Sequence, residues 1–185
     1  MDALVVYETQ HGHTRRVAQT ITAGLLEGNR VVLERCRPGL SADGYDLVVI
    51  GAPTHHGRLP TAASRRRRQV SGGPADGSEF GIREWLAGDL RPTPHATIAL
   101  FDTLTSRLRL SRGSAAWEAA RLLRRHCANP VLPPRSFLLS SPTGPLCRGE
   151  LSQAALWANR LNAFGRAGSR GAGRPGEDRA RAADD

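Results

Sequence analysis

Val5-Val6-Tyr7-Glu8-Thr9-Gln10-His11-Gly12-His13-Thr14-Arg15-Arg16-Val17-Ala18 joins an apolar strand to an amphipathic helix through a short polar turn. A helix start leaves backbone N–H groups without intrahelical partners and carries roughly half a positive charge, so an anion there is stabilised without a basic side chain. Thr9 and Thr14 add hydroxyl donors, and Gly12 has no Cβ to hold a phosphate away from the backbone. The stretch predicts a strand, an anion-binding loop and a helix, in that order.

Working outward, five apolar segments read as strands: Ala3–Tyr7, Arg30–Leu33, Asp46–Ile50, Ala96–Phe101 and Arg135–Ser140. Most are continuous rather than alternating, as a parallel sheet covered on both faces requires. Helical stripes separate most of them: Val17, Ile21 and Leu25; Ala115, Ala119, Leu122 and Leu123; Leu151, Ala155, Ala158 and Leu161. The longer connection after Ile50 offers two further helical segments, Thr61–Val70 and Glu79–Leu86, divided by the Gly-rich stretch Ser71–Ser78. Strand and helix in alternation predict a doubly wound α/β domain with helices on both faces of a parallel sheet. Its ligand sites are expected beyond the carboxyl ends of the strands, in Glu8–Thr14, Gly51–Pro60 and Asp102–Arg112. The domain is expected over residues 1–164, and 165–185, rich in Gly, Ala, Arg and acids, as a disordered tail.

Composition narrows the function classes. A chain of 185 residues fits one domain and buries about two thirds of its unfolded surface. Cys36, Cys127 and Cys147 are odd in number and widely spaced, which argues against a disulfide framework, a zinc ribbon or a dithiol redox pair. The start lacks the basic region and cleavage site of a signal peptide, and no apolar run reaches membrane-spanning length, so reduced thiols and a cytoplasmic location are expected. Net charge is +9, yet every basic residue is Arg, a bias that codon usage explains more simply than a nucleic-acid surface does. Arg65-Arg66-Arg67-Arg68 reads as a solvated helical surface, without the aromatic platforms that single-stranded nucleic acids need. Trp85, Trp117 and Trp157 fall on predicted helices, where packing against the sheet is the expected role.

The opening stretch, followed by Ala18 and Ile21, resembles the flavodoxin signature in about ten positions of one register. Tyr45-Asp46-Leu47-Val48-Val49-Ile50-Gly51-Ala52-Pro53-Thr54 is similar to the third strand and second flavin loop of that family. The resemblance implies a five-stranded sheet in the order 2-1-3-4-5 and non-covalent binding of FMN. It places the phosphate in Thr9, Gln10, His11, Gly12, His13 and Thr14. The isoalloxazine would then lie between Pro53, Thr54, His55, His56 and Gly57 on one side and Asp102, Thr103 and Leu104 on the other. The implied role is electron transfer with an unidentified redox partner, or flavin-dependent reduction, with the ring doing the chemistry and no side chain acting as catalytic acid or base.

Three features set the chain apart from that pattern. His11 stands where many flavodoxins have Thr, the two ring-flanking loops lack Trp and Tyr, and the chain is basic where electron-shuttle flavodoxins are acidic. Two other readings therefore stay open. The fold could serve as a binding or sensing module that has lost flavin. Alternatively, His11, His13, His55 and His56 could converge on a transition metal, although neither loop segment, Gln10–Thr14 or Gly51–Pro60, offers an acid to complete a mixed ligand set. Arg58, Arg107, Arg109 and Arg112 lie near the expected cleft mouth, where they would steer a phosphorylated nicotinamide cofactor or an anionic substrate, or simply carry surface charge. Cys147 beside Arg148 has no identifiable His and acid partner, so a nucleophilic thiol is not expected there.

Overall fold

The computed structural model describes residues 1–70, 79–94, 96–105, 113–126, 129 and 131–171. The Gly-rich divider 71–78, Cys127 and residues 106–112, with Arg107, Arg109 and Arg112, lie outside them. The chain runs β1 (Asp2–Tyr7), α1 (His13–Leu25), β2 (Arg30–Arg35), β3 (Leu47–Pro53), α2 (Ala62–Val70), α3 (Ile82–Glu84), β4 (Thr97–Thr105), α4 (Ala115–His126), β5 (Arg135–Leu139) and α5 (Glu150–Gly171). All strand pairs are parallel, and the order across the sheet is β2-β1-β3-β4-β5. The doubly wound α/β fold and the 2-1-3-4-5 order read from the sequence are both present.

Successive strand residues face opposite sides, so each strand feeds two cores. Ala3, Val5, Tyr7, Leu47, Val49, Ala99 and Phe101 meet Val17, Ile21 and Leu25 of α1 and Ala154, Ala158 and Leu161 of α5. Leu4, Val6, Val48, Ile50, Ile98 and Leu100 face the other way, against Ile82, Trp85, Ala115, Ala119 and Leu123. At the edge, β2 alternates exposed and half-buried residues, as an edge strand must.

The register aligns the carboxyl ends of the central strands. Tyr7 lies opposite Gly51, Gly51 opposite Phe101, and Pro53 opposite Thr103, which pairs with Phe137. Gly51 is required sterically: a Cβ there would stand 2.0 Å from Phe101 Cζ. The Phe101 ring lying across Gly51 in turn meets Phe137 and Trp157 edge-on, with centroids 5.9 and 6.2 Å away.

Several sequence expectations change. β4 continues to Thr105, because Leu104 is as well buried as the strand residues before it; Asp102, Thr103 and Leu104 belong to a strand end, not a loop. The segment Glu79–Leu86 yields only a single turn, α3, which widens at Trp85–Asp89 into a π-helical turn closed by the Leu90 amide donating to the Trp85 carbonyl at 2.8 Å. Trp85 is fully buried, its indole N–H donating to the Leu40 carbonyl (2.8 Å), and Trp157 is half-buried, but Trp117 is 55% exposed. The first turns of α4 cover the sheet with Ala115, Ala116, Ala119 and Ala120, which leaves Trp117 on the opposite face. Backbone of α5 runs on to Gly171, past the Gly165 where composition places the start of the tail.

The largest change concerns Arg65, which is 3% exposed rather than solvated. Its guanidinium reaches Glu8 Oε1 at 3.3 Å, Glu84 Oε2 at 2.6 Å, the Pro60 carbonyl at 3.3 Å and the Glu79 carbonyl at 2.9 Å. Arg66 and Arg67, one and two positions on around the helix, are exposed as expected. The difference is helical phase: Arg65 sits on the face of α2 turned towards the end of β1, where Glu8 is buried.

Candidate functional site

The end of β1 passes into the loop through Glu8, whose amide donates to the Gly51 carbonyl (2.9 Å) and holds β1 and β3 together to their last residues. Glu8 is buried, and its carboxylate accepts from Arg65 and, at 2.9 Å, from the Ile82 amide. Burial raises its pKa; Arg65 and the Ile82 amide pull it partly back, while Glu84 adds to the rise.

After Glu8 the chain turns sharply. Gly12 has φ +82°, a left-handed conformation that costs an L-residue with a Cβ about 1–2 kcal/mol. Its amide donates to Thr9 Oγ1 (3.0 Å) and its carbonyl accepts from the Arg16 amide (3.0 Å), so Gly12 closes the loop and opens α1 together. Across the sheet, Thr14 Oγ1 and Thr103 Oγ1 share a buried hydrogen bond of 2.9 Å, tying the first turn of α1 to the end of β4.

The second wall is the turn after β3. His55 and Arg58 exchange backbone hydrogen bonds of 2.9 and 3.0 Å, and both residues between them are left-handed, His56 at φ +49° and Gly57 at φ +77°. Two consecutive left-handed residues make a tight hairpin turn. A non-glycine residue held there is a strained position of the kind that clusters at ligand sites. His55 is buried with Nδ1 3.0 Å from Ser64 Oγ, whereas His56 is exposed at the tip. Thr54 is fixed twice, its amide donating to the Thr103 carbonyl and its hydroxyl oxygen accepting from the Ala115 amide, each at 2.9 Å.

These loops enclose a cavity of about 150 Å³ at the β1/β3 boundary, where the strand order reverses. That is the expected ligand position in an open α/β sheet, a rule for which flavodoxin-like sheets are themselves a worked instance. Of the residues singled out from the sequence, Thr9, Gln10, His11, His13, Thr14, Pro53, Thr54, His55, His56, Thr103 and Leu104 line it. Three do not. Gly12 shapes the loop without lining the cavity, and Gly57 faces a separate groove. Asp102 is wholly buried, with Oδ2 accepting from the Ala116 amide at 2.9 Å, so it caps α4 instead of edging the cavity. Burial raises its pKa, and the hydroxyls of Ser114, Ser136 and Thr54 together with the Ala116 amide pull it part of the way back.

Thr105, Leu139 and Pro142 also line the cavity. Thr105 was within reach of sequence reasoning, since it lies two residues beyond Thr103 and shares its face in an extended strand. Leu139 and Pro142 enter only because β5 lies beside β4.

Chemically the wall is suited to an anion. Among the described residues that line it, none is acidic. Both amide atoms of Gln10 and both ring nitrogens of His13 are buried with no hydrogen-bond partner among the described residues. Buried polar groups are nearly always satisfied, so these four atoms are open to water or to a polar ligand beside the Gly12 turn. The four loop histidines do share this wall, but among the described residues no three His, Cys, Asp or Glu side chains are grouped closely enough to hold a metal ion.

Comparison with known proteins bears on the same region. The family profile described as "Flavodoxin domain" matches residues 4–65, from β1 through the Thr9–Thr14 loop to the first turn of α2. No curated protein matches the chain in sequence. Among solved structures, a flavodoxin from the domain Archaea superposes with a TM-score of 0.57 at 16% identity, covering 90% of this chain and 99% of its own. A flavodoxin, WrbA-like protein from Agrobacterium tumefaciens gives 0.54 at 18% identity, covering 90% and 98%. Oxidised Flavodoxin 2 from Bacillus cereus gives 0.52 at 15% identity, covering 92% and 99%. No helix among the described residues is long and apolar enough to cross a membrane. With the sheet order, the β1/β3 cavity and the matched segment in agreement, the chain has a flavodoxin-like fold.

Proposed function

We propose that this chain binds FMN at the β1/β3 cavity and transfers electrons through it in the cytoplasm. The observation that carries the reading is the unsatisfied Gln10 amide and His13 imidazole beside the left-handed Gly12, in a wall without acids. The residues fit the phosphate end of the cofactor. Gln10, His13, the Thr9 hydroxyl and the opening amides of α1 would hold the phosphate, and Thr14 and Thr103, bonded to each other, would keep the loop in register with β4.

When bound, the isoalloxazine supplies the redox chemistry, accepting and passing on electrons. This chain's own residues position it. A cavity of about 150 Å³ suits a phosphate and a ribityl chain but is smaller than the roughly 300–1,000 Å³ of a pocket that swallows its ligand whole. The ring would therefore rest at the mouth, between the His55–Arg58 turn and the Thr103–Thr105 strand end, beside Leu104 and Pro142. With no Trp, Tyr or Phe among the described residues that line the cavity, a ring face stays open, which favours a flavin that reacts directly with a small-molecule acceptor over one sealed for shuttling.

Absorbance of freshly purified protein and titration with FMN test the reading. Saturable quenching of FMN fluorescence, a raised melting temperature, and at least a tenfold weaker affinity for riboflavin, which lacks the phosphate, are expected. Gly12→Ala should weaken FMN binding more than tenfold while costing about 1–2 kcal/mol of stability from its left-handed φ. Colourless protein that neither quenches FMN nor gains melting temperature refutes the proposal. The same protein binding inorganic phosphate would favour the binding-module reading instead.

A further inference from the structure

A second concavity lies behind the His55–Arg58 turn. Its volume is about 520 Å³, and Gly57, Arg58, Trp117, Arg121 and Arg124 form its floor and walls. The floor is bare backbone: a Cβ on Gly113 would stand 2.5 Å from the Gly57 carbonyl oxygen, so only glycine lets the turn close on the start of α4. Trp117, Arg121 and Arg124 follow one another at helical spacing along one face of α4, spanning about 10 Å, with Arg58 on the facing turn.

The side chains here are unusual in what they leave unused. Trp117 is 55% exposed, and Arg58, Arg121 and Arg124 are exposed without an ion pair among the described residues. The one acid in the groove, Glu118, is committed elsewhere, accepting from Arg83 at 2.8 Å and from the Leu59 amide at 2.7 Å. The groove therefore presents an aromatic face and three uncompensated guanidinium groups. Its volume falls in the range of small-molecule sites.

We infer that this groove binds a nucleoside diphosphate moiety, the base stacked on Trp117 and the phosphates held by Arg121, Arg124 and Arg58. Indole and base offer flat π faces to each other, and guanidinium pairs with phosphate through parallel N–H donors. A concave site with a single ring and clustered cations suits that ligand better than an acidic protein, which would need a broad, flat contact of about 800 Å² per partner. The two sites are separated only by the His55–Arg58 turn: His56 lines the first and Gly57 the second. The inference stands on the groove alone and does not require flavin in the neighbouring cavity.

Calorimetric titration of the full chain with ADP tests it, alongside tryptophan fluorescence, in which Trp117 is the strongly exposed indole. ADP should bind saturably and quench. Arg121→Ala and Arg124→Ala should each weaken binding about two- to fivefold, and Trp117→Leu about tenfold. All three side chains are exposed, so melting temperatures should stay close to the parent value. Four results would overturn the proposal: no heat or quenching at millimolar ADP, equal binding of inorganic tripolyphosphate, displacement of ADP by FMN, or binding of an acidic peptide without binding of ADP. The FMN result would place ADP in the first cavity, and the peptide result would assign the groove to a protein partner.

Discussion

Replacing Arg65 with methionine removes the guanidinium that pulls back the raised pKa of the buried Glu8 carboxyl beneath the Thr9–Thr14 loop. In the native protein Glu8 is 7% exposed and meets the Arg65 guanidinium at 3.3 Å and the Ile82 amide at 2.9 Å. The variant leaves that carboxylate with the Ile82 amide alone. It also strips the Glu79 carbonyl of the Arg65 donor and leaves the Pro60 carbonyl with Arg83 Nε, whereas Glu84, less deeply buried, can turn towards water. Removing one partner of a buried pair costs about 3–5 kcal/mol, far more than the net worth of the pair, because the remaining charge is stranded. For a domain of this size each kcal/mol moves Tm by about 2–4 °C, so a fall of about 6–20 °C is expected. Burial already raises the Glu8 pKa against the pull of Arg65, and without Arg65 it rises further. A carboxyl with a raised folded pKa binds more protons folded than unfolded, so stability falls as pH climbs above the unfolded value. The deficit of the variant should therefore be smaller near pH 5 than at pH 8. Urea denaturation across that range reads both effects, and Glu8→Gln combined with Arg65→Met should recover a large part of the loss. A single variant within about 1 kcal/mol of the parent at pH 8, or a deficit that does not grow with pH, would show that the ion pair does not hold the loop.

Two further substitutions test the site's scaffold. Gly51→Ala forces a Cβ to 2.0 Å from Phe101 Cζ and displaces a ring packed on Phe137 and Trp157; a loss of about 1–3 kcal/mol or more is expected by urea denaturation, accompanied by a changed near-ultraviolet circular dichroism. Asp102→Asn keeps an oxygen for the Ala116 amide and removes a carboxyl whose pKa burial raises; since that carboxyl makes stability fall as pH rises above its unfolded value, the variant should flatten the fall and gain relative to the parent at pH 8. An unchanged pH slope would show that Asp102 does not titrate differently in the folded state.

The order of strands and helices was legible because each element carries a local signal. Continuous Val, Ile and Leu runs marked the buried strands, and the stripe Val17, Ile21, Leu25 marked the face of α1 that packs on them. The loop from Thr9 to Thr14 was equally local, its glycine and hydroxyls lying within one turn. Long-range neighbours were not legible. Nothing near Arg65 in the sequence announces Glu8, and the two meet only because α2 folds back under the end of β1. Nor does the sequence around Asp102 announce Ala116; a carboxylate at a strand end reads as loop chemistry until the helix that it caps is placed. Trp117 was misread because an aromatic on a helix usually faces the core, whereas here alanines take that face.

The sequence by itself thus determined the architecture and the glycine turn between β1 and α1, since periodicity, turn chemistry and helix starts act over a few residues and need no distant partner. Tertiary structure alone decided which charged groups are buried together, which side chains complete the cavity wall from β4 and β5, and which aromatic is left facing water. Those outcomes depend on the phase of one element against another. Phase is set by the packing of the whole sheet, not by any window of sequence.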